Sequence, residues 1–190
     1  MSHEGFTAQH RLAGQIAAWV GFIAVQGYSI ASGLGFLSLE SPLDSVGTPF
    51  LPIMALLLIL MAPLLVVTMV AVHAYAAPER KVYSVTALAF MILLAGITSS
   101  VNFAVLIVSS QAESAGAPWL PLFLPYKWPA VAYAMGVFAW DWFYALSMLC
   151  AAPVFREGRL EQMVRIVMLI SGGLSLRGRL GRFGRPGLRG

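Results

Sequence analysis

The chain has 190 residues, 59% of them hydrophobic and 11% charged, with a formal charge of +4 and a mean hydropathy of +0.80. Soluble domains carry roughly a quarter charged residues, so this chain cannot cover a water-facing surface and needs lipid as part of its solvent. The one cysteine, Cys150, lies in an apolar run, which excludes a disulfide framework and a CxxC-type metal or redox site within one chain.

Four continuous apolar runs are long enough to cross a bilayer, which takes about 20 helical residues. Short alternating segments of the kind a β-barrel needs are not what the sequence offers. The first run covers about residues 12–37. It is too long for a cleaved signal peptide, only Arg11 closely precedes it, and no A-x-A site follows. Gln26 lies at its centre, and Ser29 with Gly33 and Ala31 with Gly35 form small-xxx-small pairs suited to close helix contact. A short acidic loop with Glu40 and Asp44 follows.

The second run, about 50–75, has Pro63 at its middle, where a kink and a freed carbonyl are expected. His73 and Tyr75 fall near its end, before a loop with Glu79, Arg80 and Lys81. The third run, about 82–109, carries Thr98, Ser99, Ser100 and Asn102 from its centre outward. Spacings of i,i+4 and i,i+3 put Thr98 and Ser99 on the face of Asn102. Beyond it comes SQAESAGAPWLPLFLPYKW, where Pro118, Pro121, Pro125 and Pro129 exclude a regular helix between them. Trp119, Phe123, Tyr126 and Trp128 suit an aromatic belt at the headgroup layer; a lid over an outward-facing cavity is the other reading.

The fourth run, about 128–155, contains AWDWFYAL. At 1.5 Å per residue, Asp141 lies within roughly a few ångströms of the run's midplane. An ionised carboxylate at the bilayer centre costs about 2.5–3.5 kcal/mol on insertion scales, and no basic residue in the four runs lies at matching depth. Asp141 is therefore expected to face the bundle, with Gln26, Asn102, Ser99 and Tyr144 completing a candidate intramembrane polar site. Ala132 and Gly136 form a further small-xxx-small pair.

The remaining sequence changes character twice. Residues 156–176 start amphipathic, with Leu160, Met163, Val164 and Val167 on one face and Glu161 paired with Arg165 at i,i+4. The segment is expected to be an interfacial amphipathic helix or a truncated fifth span. Residues 177–190, rich in Arg and Gly, are expected to form a disordered basic tail. Such a tail favours anionic lipid, at roughly 1 kcal/mol per basic side chain near the surface, or marks an altered reading frame. Only Phe183 is there for stacking, so no nucleic acid is expected.

If the spans alternate, eleven of the twelve Lys and Arg fall on one side and Lys127 alone on the other. The positive-inside rule then places both termini in the cytoplasm. The stretch PAVAYAMGVFAWDWFYALSMLCAAPVF, with the basic helix start after it, resembles small multi-pass bacterial inner-membrane proteins of uncharacterised function. The resemblance covers mainly residues 129–155. It implies one or two further spans where this chain turns to Arg and Gly, and it implies no activity.

The expected fold is an all-α, four-span membrane domain over residues 1–155, followed by the cytoplasmic helix and tail. The sequence has no HExxH, GxSxG or phosphate loop. His73 is the one histidine within a run, and lies about half a bilayer from Asp141. Catalytic residues, bound metal and cofactors are not expected. The leading expectation is a non-catalytic structural or accessory membrane protein. The alternative is a protein that binds or transports a small ligand, proton or cation at Asp141. Expected partners are the lipid bilayer, with anionic lipids at the basic C-terminal segment, and a homo- or hetero-oligomer through the small-xxx-small faces.

Overall fold

The structure, a computed structural model, describes residues 6–41, 44, 46–114, 116, 118–123 and 130–183. Among these residues every regular element is helical: α1 (Ala8–Leu37), α2 (Phe50–Tyr75), α3 (Lys81–Ser114), α4 (Leu120–Phe123), α5 (Val131–Phe138), α6 (Ala145–Ala151) and α7 (Gly158–Phe183). A 3-10 turn, Pro78–Arg80, leads into α3. A π-helical stretch, Ala139–Tyr144, joins α5 to α6, and a second 3-10 turn, Ala152–Val154, closes α6. Four segments are long and apolar enough to cross a membrane: Ala8–Leu37, Phe50–Tyr75, Pro78–Val108 and the composite Val131–Val154.

The apolar runs are helical because every backbone N–H and C=O can be paired within the segment, the condition that lipid imposes. Pro63 lies inside α2, which continues through it to Tyr75. Pro121 sits in the first turn of α4, where its missing N–H is tolerated; the proline-rich loop thus holds one short helix where none was expected. Pro125, Tyr126, Lys127, Trp128 and Pro129 lie outside the described residues. A further departure concerns the basic tail. The helix runs on past Leu176 to Phe183, so residues 177–183 are helical where disorder was expected. Arg and Leu are good helix formers, and each intervening Gly costs only about 1 kcal/mol relative to Ala. Residues 184–190 lie outside the described residues.

The chain divides into two compact units whose boundaries fall within α1, α2 and α3 and at the end of α5. One takes the N-terminal residues through Gly14, Val66–Leu94 and the chain from Phe138 onward. Its interior is built largely from small side chains: Ala87, Ala139, Ala145, Ala151 and Ala152 are completely buried. Where lipid removes the hydrophobic drive between helices, such residues let backbones approach and gain dispersion contact. Ser147, also fully buried, donates from Oγ to the Ala87 carbonyl on α3 at 2.8 Å.

The other unit comprises Gln15–Leu65 and Ala95–Val137. Ala31, Val46 and Met54 form one of its cores, with Tyr28, Leu39 and Phe50 against them. Gly35 permits this packing, since a Cβ there would lie 2.8 Å from Val46 Cγ1 and 3.2 Å from Phe50 Cβ. Val101, Val105 and Ala132 form a second core with Leu51, Ile97 and Leu120. The Ala31–Gly35 pair is thus used within the unit, while Ser29 and Gly33 remain exposed.

Candidate functional site: the wide helical turn around Asp141

The six residues AWDWFY, Ala139–Tyr144, form the π-helical stretch, so Asp141 sits where the fourth membrane-length helix leaves regular α geometry. Such turns widen the helix by one residue, interrupt its i→i−4 bonding and recur at functional sites. The surrounding rings hold this turn. Phe143 packs edge-on to Phe138 at 5.1 Å between centroids and stacks on Phe90 of α3 at 6.3 Å. Trp140 lies 5.7 Å from the Tyr144 ring. Trp142 is half exposed, and the completely buried Ala139 and Ala145 bracket the turn. Asp141 itself is half-buried.

The structure places Asp141 and Tyr144 together on this turn, in the first unit, whereas Gln26, Ser99 and Asn102 belong to the second. Gln26 is exposed on α1, Ser99 is half-buried, and Asn102 is buried. Asn102 Nδ2 donates to the Thr98 carbonyl, one turn earlier on its own helix, at 2.8 Å. Its Oδ1, the Thr98 hydroxyl and the Ser32 hydroxyl are buried without a hydrogen-bond partner among the described residues. These three oxygens were not singled out together by spacing, because their burial depends on what packs over α1 and α3.

Tyr144 has a partner that the sequence did not indicate. Ser171 Oγ on α7 donates to Tyr144 Oη at 3.3 Å. One residue further on, a Cβ at Gly172 would sit 2.9 Å from Leu149 Cγ and 3.0 Å from the Ala145 carbonyl. Only glycine allows α7 to come this close to α6.

A second polar group ties the same unit together. Tyr75 Oη, at the end of α2, donates to Glu161 Oε1. Glu161 Oε2 accepts the backbone N–H groups of Arg156 at 2.8 Å and Glu157 at 2.5 Å. The carboxylate thereby caps α7 in the manner of a capping-box acid. Arg80 Nη1 donates to the Val154 carbonyl at 3.0 Å. His73 Nδ1 lies 2.8 Å from Ser84 Oγ, and Lys81 Nζ donates to the His73 carbonyl at 3.2 Å. Tyr75 also stacks on Phe155, at 5.9 Å. The i,i+4 spacing pointed to Arg165 as the partner of Glu161; Tyr75 lies 86 positions away in the sequence, a separation that no local pattern reveals.

Among the described residues no three His, Cys, Asp or Glu side chains are grouped to hold a metal ion. Comparison with family models, curated proteins and solved structures found no match for this chain.

Proposed function

We propose that this chain is a multi-pass protein of the cell membrane, of bacterial inner-membrane type, with a non-catalytic structural or accessory role. One observation carries the reading: the polar side chains of the first unit join one segment of the chain to another. Tyr75 to Glu161, Arg80 to the Val154 carbonyl, His73 to Ser84 and Ser147 to the Ala87 carbonyl each link separate helices or loops. Polar groups committed in this way fix helix packing. The exposed Ser29 and Gly33 offer a surface for a partner helix, and the basic loops suit anionic lipid.

The wide turn at Asp141 favours a second reading, in which Asp141 binds a proton, a cation or a small ligand. One substitution separates the two. Asp141→Asn preserves shape and hydrogen-bonding capacity while removing the ionisable group. Under the structural reading it changes stability in detergent by less than about 1 kcal/mol, and pH-dependent behaviour in liposomes matches the parent. Loss of pH-dependent binding or flux in a normally folded Asn variant would overturn that reading in favour of an ionisable site.

A further inference from the structure

α7 is not among the four segments apolar enough over a long window to cross a membrane. Its contacts nevertheless fix where it runs. At its start Glu161 is held by Tyr75, at the end of α2. Eleven residues further along, Gly172 rests on Ala145 and Leu149, beside the Ser171–Tyr144 hydrogen bond. At 1.5 Å per residue this is about 16 Å of helix. It passes antiparallel to α6, from the end of Val131–Val154 to the middle of that segment. A helix lying flat at the headgroup layer cannot follow a membrane-crossing helix for half the thickness of the hydrocarbon layer, which is about 30 Å.

A stripe of the exposed side of α7 is apolar over the same length, with Arg159 and Gln162 exposed beside it. Leu160, Met163, Val167, Ile170 and Leu174 recur at spacings of three and four, and each is 55–79% exposed. Glu161 and Gly172 take the opposite face, against the chain, and Ser171 borders the stripe. This inverts the surface of a soluble helix and is the pattern of one solvated by lipid.

We infer that α7 is a fifth membrane-inserted helix, antiparallel to the fourth, whose Leu160–Leu174 stripe is covered by lipid acyl chains. The inference rests on the membrane reading of the chain. In this register Ser175 and Arg177 reach the depth of Asp141, so α7 supplies a basic residue at that level where the four apolar runs have none.

Site-directed spin labelling tests the arrangement. Single cysteines at Met163, Val167, Ile170 and Leu174, in a full-length Cys150→Ala chain, are labelled and reconstituted in phosphatidylcholine/phosphatidylglycerol vesicles. These positions are exposed, so the label displaces no packed neighbour. Trp142→Cys is the control on the fourth segment. The ratio of oxygen to nickel-chelate accessibility is expected to rise stepwise from 163 to 174 and to reach the Trp142 value at 174. A uniformly shallow ratio across α7, with a deep Trp142 label, overturns the inference and makes α7 interfacial. Low oxygen access with spin–spin broadening between copies overturns the lipid assignment in favour of a dimer face. A shallow Trp142 label overturns the membrane reading itself.

Discussion

Thr98 and Asn102 show how differently one helix treats its polar side chains. Exposed hydroxyls in this chain bond back along their own helix, as Thr86 does to the Val82 carbonyl at 2.8 Å and Ser29 to the Val25 carbonyl at 2.9 Å. Thr98 is 1% exposed, and its hydroxyl has no such partner among the described residues. A buried, unpaired polar group costs about 1–3 kcal/mol. Thr98→Val, nearly the same in shape, should therefore raise stability by about 1 kcal/mol in detergent unfolding. A loss of stability instead would mean that the hydroxyl is satisfied by bound water. Asn102 differs, because its Nδ2 is bonded to the Thr98 carbonyl; Asn102→Leu removes a made bond along with an unmade one and should come out near neutral.

At the scale of elements, the start of α7 depends on one carboxylate. Glu161 accepts from Tyr75 and from two backbone N–H groups that the helix cannot otherwise satisfy. Tyr75→Phe removes one hydrogen bond to a charged group and should destabilise by about 1–2 kcal/mol. Glu161→Ala removes all three acceptor contacts and should cost more, about 2–3 kcal/mol by the same scale. It should also expose the 156–160 segment to protease first. Equal effects of the two variants would show that the cap contributes little beside the Tyr75 contact. Gly172 makes the complementary contribution further along: a larger residue there has to push α7 away from the Ala145 carbonyl.

For the whole molecule, the distribution of Lys and Arg makes a prediction about sidedness. Arg80 and Lys81 lie at the very start of the third membrane-length segment, just after the turn from the second, and Arg156 and Arg159 follow the fourth. The positive-inside rule predicts these loops in the cytoplasm and residues 44 and 116 outside. Cysteines placed at positions 44 and 116 should react with an impermeant maleimide in intact cells, and cysteines at 80 and 157 only after lysis. Labelling of position 80 in intact cells would reverse the topology.

The sequence alone determined the all-helical class and the four membrane-length segments. Expected bounds of 12–37, 50–75, 82–109 and 128–155 compare with Ala8–Leu37, Phe50–Tyr75, Pro78–Val108 and Val131–Val154. This much was legible because the need to pair backbone groups in lipid acts on every residue of a segment and leaves a continuous local signal. The central position of Asp141 along the fourth segment follows from counting alone. Tertiary structure decided the rest: the wide turn beneath Asp141, the exposure of Gln26, the Tyr75–Glu161 contact and the course of α7 along α6. Each depends on a neighbour tens of residues away or on which face that neighbour covers. Residues 156–176 were compatible with an interfacial helix or an inserted one, since both need a helix with one apolar face. The contacts at Glu161, Ser171 and Gly172 run α7 along α6 because a glycine without a side chain and two hydrogen bonds across the chain let the helices close together.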